Sequence, residues 1–345
     1  MSRASAQMPF VRLVGASCLA AALLWACGPD GEQAGAPRLK TLRLCYNPYL
    51  TYAPLFVARD EGFFAEQGIA LEFVRLQQSQ YGLPALTAGQ VEVLCGPMSA
   101  GVLNAIARGA DIKMVADRGY IRPGSCSTSA VFARRDLVEG GLLEDREHIK
   151  DLVFCCSRDT VTAYLMDKLL ARFDLALRDL KRVYLPPAAY AEALEQGTVD
   201  LVMAPEPWGT RLLKAGHSVL WVADQGVAPD GQLAYMAFGP ALLERDPELG
   251  RAFIVAYLKG VRQLKEGKTE RNVEILTRST GLDREIVMDA CWSAFREDGR
   301  LNVKSVLDFQ AWAVGAGLVD TPVSPEQFWD PSFVDQANHV LNAAE

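Results

Sequence analysis

Aromatic side chains are concentrated at short turn-like stretches that follow apolar segments of this chain. Tyr46, Tyr49 and Tyr52 follow the first such segment, and Tyr120 and Trp208 stand after later ones. Rings in these places can stack on a planar solute, which favours an aromatic or heterocyclic ligand over a bare inorganic anion. Because tyrosine is also common on surfaces, the alternative is that Trp208 packs against its own domain and some tyrosines are bystanders.

Charged residues near these turns point to two different ligand classes. Glu206 would repel an anion but could accept hydrogen bonds from an amino-substituted heterocycle. Arg118 and Arg158 keep a sulfonate or carboxylate ligand open, unless they are surface charges. Residues 157–160 precede an apolar-faced helix, so its free N–H groups can hold a polar or anionic atom. The alternative is that Asp159 or Thr160 only caps that helix.

Groups suited to covalent or metal chemistry do not form a recognisable set. Cys155 and Cys156 are only a pair, and His148, His217 and His339 lie in loop-like or tail positions, away from a strand end with a cysteine. No Cys/His spacing suits zinc. We therefore expect no enzyme, no cofactor and no metal. The cysteines read as small apolar residues, and one disulfide of unassigned pairing is compatible with export.

A weak internal repeat indicates how these turns are positioned. Residues 85–97 match 193–205 as a helix end, a glycine, a short apolar strand and a proline. Residues 115–119 then match 222–226, and 130–133 match 235–238, in the same order and spacing. Three matches in register predict two lobes of similar fold.

Strands and helices alternate within each half. Apolar runs predict strands at 42–46, 70–76, 91–95 and 112–116, and again at 152–156, 182–185 and 199–204. Such alternation implies parallel-type sheets flanked by helices, with a ligand beyond the carboxyl ends of the strands. We interpret 131–133 and 235–238 as two hinge strands between the lobes. The C-terminal part predicts helices at 247–265, 270–279, 284–295 and 305–314.

The first residues resemble an export signal. Arg3 and Arg12 precede an apolar run over 13–26, and Cys27 follows in a lipobox-like context. We predict a signal peptide over 1–26, lipidation of Cys27 and a flexible tether over 27–39; an ordinary signal peptide is the alternative. Loss of the two arginines changes the net charge from −7 to −9, which argues against nucleic acid as a partner.

Several motifs are familiar once the halves are aligned. Residues 46–48, 53–58 and 61–64, together with 103–109 and 206–208, resemble the family of aliphatic-sulfonate, taurine and thiamine-pyrimidine-precursor-binding proteins, over roughly 42–261. The resemblance implies a two-lobed periplasmic-binding-protein fold that delivers a small solute to an ABC permease and ATPase. A related pyrimidine-precursor synthase carries a clustered cysteine motif, a histidine and a cofactor lysine; the cysteine and histidine set is missing here.

The sequence predicts the bounds of the two lobes, the ligand class and the ligand-binding residues. Lobe one comprises 40–135 plus 231–345, and lobe two 136–230. We expect a monomeric, extracytoplasmic, lipid-anchored α/β solute-binding protein, with a nitrogen heterocycle such as a thiamine or vitamin precursor as the favoured ligand. The alternatives are a protein of the same fold that binds a sulfonate or other organic anion, and an enzyme similar to the pyrimidine-precursor synthase. The predicted ligand-binding residues are Tyr46, Asn47, Tyr49, Tyr52, Gln78, Met98, Ser99, Arg118, Tyr120, Ser157, Arg158, Asp159, Thr160, Glu206, Trp208 and Tyr235.

Overall fold

The structure, a computed structural model, describes residues 39–47, 49–75 and 82–343. The strands are β1 Lys40–Tyr46, β2 Ile69–Arg75, β3 Val93–Pro97, β4 Lys113–Asp117, β5 Ser129–Arg134, β6 Val153–Cys155, β7 Lys181–Val183, β8 Leu201–Pro205, β9 Ser218–Ala223 and β10 Ala234–Phe238. The helices are α1 Ala53–Asp60, α2 Phe63–Glu66, α3 Gly82–Thr87, α4 Ala100–Ala107, α5 Arg135–Glu139, α6 Arg146–Asp151, α7 Val161–Leu170, α8 Tyr190–Glu195, α9 Trp208–Ala215, α10 Pro247–Leu264, α11 Glu270–Thr280, α12 Arg284–Asp289, α13 Val303–Gly315, α14 Pro325–Phe328 and α15 Ser332–Ala343.

The strands form two sheets with the same internal order. The first sheet is β2-β1-β3-β10-β4 and the second is β7-β6-β8-β5-β9. The positions of β3, β10 and β4 are filled in the second sheet by β8, β5 and β9, the strands that the sequence repeat makes equivalent. The prediction of two similar α/β sheets is therefore confirmed. Both sheets are mixed, because β10 runs antiparallel to β3 and β4, and β5 runs antiparallel to β8 and β9.

The two strands interpreted as hinges are exchanged between the sheets. β5 follows β4 of the first sheet in the chain but pairs along its length with β8 and β9 of the second. β10 follows β9 of the second sheet but pairs with β3 and β4 of the first. The crossings themselves are made by residues 118–128 and 224–233, which precede these strands.

Helix α10 shows how local sequence sets packing in the first half. Asp246 accepts a hydrogen bond from the Leu249 N–H, and Pro247 occupies the first helical position, so both favour a helix start here. Gly260 lies against α1, where a Cβ atom at this position would come within 2.2 Å of the Pro54 carbonyl oxygen. Only glycine permits this close approach of α10 to α1.

An apolar core continues from one sheet to the other. Its buried members include Leu94 and Met114 of the first sheet and Phe154 and Leu201 of the second. Helix α13 contributes Phe309 to the same cluster and contacts both α4 and α7. The C-terminal part thus packs on both halves of the molecule.

The predicted helix over 284–295 is shorter than expected, since α12 ends at Asp289. The chain continues as an extended segment, residues 290–296, which we call the strap. A disulfide joins Cys126 of the first crossing to Cys291 of the strap, and the backbone of Ala294 pairs with Tyr120. These long-range links hold the strap extended, and a periodic pattern in the sequence carries no information about them.

No helix among the described residues is long and apolar enough to cross a membrane.

Candidate functional site

The turn after β3 of the first sheet and the turn after β6 of the second sheet meet directly. The Val161 N–H donates to the Met98 carbonyl at 2.8 Å, and the Ala100 N–H donates to the Asp159 carbonyl at 2.8 Å. Ser99 and Thr160 pair between these bonds. The starts of α4 and α7 thus meet, and the first N–H of α7 is bound by the opposite turn.

Hydroxyl groups cluster at the start of α7. The Ser157 hydroxyl contacts that of Thr160 and lies 2.7 Å from that of Thr162, while the Thr160 and Thr162 hydroxyls are 2.9 Å apart. All three side chains are partly buried, whereas Arg158 is exposed. Each hydroxyl can donate one hydrogen bond and accept others, so the cluster offers adaptable polar groups at the edge of the cleft.

Arg118 lies beneath the turn that follows β1. Its guanidinium stacks 4.5 Å from the Tyr52 ring centroid, and Nη1 donates to the Thr51 carbonyl at 3.2 Å. The residue is 5% exposed, its Nε has no hydrogen-bond partner, and within the described chain it forms no ion pair. Burial raises the pKa of Tyr52, and the positive charge of Arg118 opposes that rise. A buried guanidinium without a counter-charge favours a nearby anion.

Tyr235 completes the floor of this region on the first sheet. Its ring covers Gly96, where a Cβ atom would come within 2.9 Å of the Tyr235 hydroxyl oxygen. Burial raises the pKa of Tyr235, and the charge of Arg118 and the nearby Ser99 side chain both counter that rise. Tyr235 therefore links Arg118 to the turn that touches the second sheet.

Tyr49 of the first half faces Trp208 of the second. Burial raises the pKa of Tyr49, and the Trp208 indole partly offsets this effect. The approach falls short of hydrogen-bond geometry, because the buried Trp208 Nε1 has no hydrogen-bond partner within the part of the chain that the structure describes. The guanidinium of Arg211 lies 5.0 Å from the Trp208 ring centroid. Trp208 is thus half-buried between the two halves, and its indole N–H is available to donate a hydrogen bond.

Two tyrosines absent from the sequence prediction lie near Tyr49. Tyr184 and Tyr190 both interact electrostatically with the neighbouring phenols, and burial raises the pKa of Tyr190. Tyr184 is largely exposed. Because the strand predicted over 182–185 ends at Val183, Tyr184 stands in the turn after β7. The other site residues were selected because they follow predicted strands. With the strand end placed at Val183, Tyr184 would have been selected in the same way.

Tyr46 is held in an aromatic cluster within the first half. Its ring lies edge-on to Phe73 at 4.9 Å between centroids, and it also contacts Tyr52 and Phe56. Tyr46 and Asn47 are both partly buried beside the Tyr49 turn. Tyr46 supports the wall of the site through the Tyr52 ring.

The carboxylate of Glu206 is engaged by the protein. It accepts hydrogen bonds from the Thr210 N–H at 3.2 Å, the Thr210 hydroxyl at 3.0 Å and the Cys291 N–H at 3.4 Å. Burial raises its pKa, and these donors oppose the rise. Glu206 thus caps the start of α9 and attaches the strap, so the argument that it would accept a hydrogen bond from a heterocycle is weakened.

Tyr120 lies in the first crossing, away from the tyrosines around Tyr49. The Arg296 guanidinium stacks 4.1 Å from its ring centroid. Beside it, the buried carboxylate of Asp117 accepts bonds from the N–H groups of Gly119 and Arg296 and from the Gln232 amide. Burial raises the pKa of Asp117 to about 6 against these stabilising donors. These contacts join the crossings to the strap.

Of the predicted residues, Gln78 and the lipidation residue Cys27 lie outside the described chain. The structure brings together Tyr49, Tyr52, Ser99, Arg118, Trp208 and Tyr235 around the junction of the two halves, with Met98 and Asp159 contributing backbone bonds. In the described residues, no cluster of three or more His, Cys, Asp or Glu side chains is arranged to hold a metal ion.

A family model decides the affiliation of the chain. Residues 35–277 match the model of the NMT1-like family. The chain belongs to that family. This match confirms the family resemblance that the sequence motifs indicated.

One curated relative matches a limited region. The bicarbonate transport ATP-binding protein CmpC of Synechocystis sp. is 27% identical over 191 residues, which make up 51% of this chain and 28% of that protein. The chain thus spans little more than a quarter of the length of this relative.

Solved structures share the fold at low sequence identity. The nitrate-binding protein NrtA from Synechocystis superposes with a TM-score of 0.73 at 13% identity, covering 89% of this chain and 90% of that one. The alkanesulfonate-binding protein SsuA from Xanthomonas axonopodis has a TM-score of 0.67 at 17% identity, covering 84% and 98%. The desulfurization enzyme DszB has a TM-score of 0.63 at 15% identity, covering 89% and 100%.

Proposed function

We propose that this protein is the extracytoplasmic solute-binding component of an ABC importer, and that it captures a small organic anion between its two halves. Membership of the NMT1-like family and the fold shared with nitrate- and alkanesulfonate-binding proteins support the transport role. Binding of the solute brings together turns from both sheets, and delivery follows by contact with a permease and its ATPase. The protein acts as a monomer and does not change its solute.

The observation that carries the ligand class is the buried charge of Arg118. A cation taken from water is costly unless an anion or polar atoms replace its hydration. Among the described residues, the Arg118 side chain has one carbonyl partner and no carboxylate. A sulfonate or carboxylate can meet the guanidinium with two parallel hydrogen bonds. Trp208, Tyr49 and Tyr184 would cover the apolar part of the solute.

The nitrogen heterocycle, favoured by the sequence alone, becomes the alternative. Its main electrostatic support was a free carboxylate at Glu206, and that group caps α9. The aromatic rings serve either ligand class, because a planar ring stacks on Trp208 whether or not it carries nitrogen.

A thermal-shift screen tests the proposal. Alkyl- and arylsulfonates, carboxylates, nitrate, bicarbonate, thiamine precursors and other nitrogen heterocycles would be added separately to the purified mature chain. A ligand at one hundred times its dissociation constant adds about 2.7 kcal/mol to the free energy of unfolding, so the melting temperature should rise by several degrees. Stabilisation by heterocycles alone would replace the anion with the alternative, and chemical conversion of any hit would make the protein an enzyme.

Two variants locate the site. Arg118→Lys keeps the charge but loses the planar pair of donors, so calorimetry should show at least tenfold weaker binding of the anion found in the screen. Trp208→Phe should weaken it less, because a smaller ring remains. Arg158→Gln is the matched control, since Arg158 is exposed. Equal weakening by Arg158→Gln and Arg118→Lys would place the anion elsewhere.

The anchor is a separate part of the proposal. Cys27 would carry the lipid and residues 27–39 would tether the two halves to the membrane. Mass spectrometry of the membrane fraction should find a lipid-modified peptide that begins at Cys27. A mature protein that begins elsewhere and is recovered only in the soluble fraction would remove the anchor and leave the solute-binding role intact.

A further inference from the structure

A cavity of about 310 Å³ lies beside the strap, and none of the predicted ligand-binding residues lines it. Its walls come from the first crossing, the start of α1, the end of α10 and the strap. The volume is in the range of small-molecule sites. Because none of the predicted ligand-binding residues lines the cavity, it is separate from the region around Arg118 and Trp208.

The cavity combines positive charge with apolar surface. Arg122, Lys265 and Lys268 line it against a single acidic residue, Glu297, which pairs with Lys265 at 2.8 Å. Arg122 is exposed and, among the described residues, its side chain has no ion pair or hydrogen bond. Two cations thus exceed the local negative charge, so an anionic group is favoured here.

Aromatic rings form the apolar part of the wall. Trp292 and Phe295 of the strap both face the cavity. The Trp292 Nε1 donates to the Val287 carbonyl at 2.9 Å, which holds its ring in place. The Lys268 ammonium lies 6.0 Å from that ring and donates to the carbonyls of Met288 and Ala290, which leaves one of its three donors. A flat apolar group can lie along these rings while its charge meets a cation.

A buried hydroxyl adds a polar contact. Ser293 lines the cavity, and its Oγ is shielded from solvent and has no hydrogen-bond partner among the described residues. A buried polar group without a partner costs free energy, so it favours a ligand atom that bonds to it.

We propose that this cavity is a second small-molecule site, for an aromatic carboxylate or similar planar organic anion. Arg122 and the free donor of Lys268 bind the anionic group, Ser293 bonds to one of its oxygens, and Trp292 and Phe295 contact the ring. The Cys126–Cys291 disulfide lies in the wall and joins the first crossing to the strap. Occupancy therefore bridges the crossing and the C-terminal part.

The probe is 4-fluorobenzoate, followed by its ¹⁹F relaxation in solution with the mature chain. Binding should give a saturable increase in relaxation, while 4-fluorobenzylamine, which has the same ring and the opposite charge, should show none. Crystals soaked in 4-bromobenzoate should show a bromine anomalous peak beside Trp292.

Two substitutions and a matched control complete the test. Arg122→Gln should weaken the probe about fivefold, as expected for a partly exposed charge contact. Ser293→Leu should fill the cavity and abolish binding. Arg178→Gln, an equal charge change on the second half, should have no effect; the Arg178 side chain is 86% exposed. The proposal is overturned if Arg122→Gln and Arg178→Gln bind the probe alike, or if bromine lies only beside Arg118 and Trp208.

Discussion

The two halves of the molecule touch through two regions of opposite character. Around α13 the contact is apolar: Phe309 and Trp312 pack on Tyr164 of α7, and the Trp312 Nε1 donates to Asp167 at 3.0 Å. Along the crossings and the strap the contact is polar and covalent, with a buried carboxylate, a stacked arginine and a disulfide.

The difference lies in which polar groups are satisfied. On the apolar side the Asn104 amide donates to the Leu318 carbonyl at 2.7 Å, and hydrophobic burial supplies the stability. Arg118 of the first crossing, Trp208 of α9 and Ser293 of the strap each carry a buried polar atom without a hydrogen-bond partner among the described residues. Such groups lower stability, and at Arg118, Trp208 and Ser293 the proposed ligands would supply the missing partners.

The largest expected effect comes from the apolar region. Phe309 is 1% exposed and lies in the core shared by both sheets, so Phe309→Ala should lower the free energy of unfolding by about 3–5 kcal/mol. Urea denaturation measures this loss. Val314→Ala on the same helix is the control, because Val314 is 40% exposed and should cost well under 1 kcal/mol. Similar losses for both variants would show that α13 does not join the two halves.

A smaller effect is expected from the covalent link on the polar side. The double substitution Cys126→Ser and Cys291→Ser should lower the free energy of unfolding by about 2–4 kcal/mol, because the disulfide closes a long loop. Reductant should destabilise the parent protein to a similar extent and leave the variant unchanged. If reductant leaves the parent unchanged, the two sulfurs are not bonded in solution.

The smallest effect concerns pH. Asp117 has a pKa of about 6 in the folded protein against 3.8 for the ordinary group, so the folded state binds the extra proton between these values. The free energy of unfolding should therefore fall by about 2–3 kcal/mol through this group as the pH rises from about 4 to about 6. Asp117→Asn should remove that part of the slope.

A matched carboxylate distinguishes this origin from general surface charge. Asp136 is exposed and its pKa is lowered, chiefly by the hydrogen bond from Arg134. Asp136→Asn should therefore leave the negative slope in place. If Asp117→Asn and the parent protein show the same slope in chemical denaturation at several pH values, Asp117 titrates normally.

Repeated local patterns explain why so much of the fold was predictable. The match between residues 85–97 and 193–205 helped to predict two lobes of similar fold. The two sheets have equivalent strand orders, which confirms this prediction. Helix start signals such as Asp246-Pro247 are also local, so the predicted helix begins at the same residue as α10. The prediction also placed the C-terminal end of α10 within one residue. The extended strap was mistaken for a continuation of α12, because its conformation depends on Cys126 and Tyr120, far away in the chain.

The candidate site was less predictable than the fold. The choice of residues that follow predicted strands identified Arg118 and Trp208. It could not show that Glu206 accepts hydrogen bonds from Thr210 and Cys291, or that Tyr184 lies after the end of its strand. The alternation of helix and strand depends on residues that are close together in the chain. The sequence alone therefore determined the architecture, the family and the turns that carry functional groups. Which charges are left without partners, and which residues line the cavity by the strap, depends on contacts between segments that are distant in the chain, such as the Cys126–Cys291 disulfide with its sequence separation of 165. Only the tertiary structure decides these contacts.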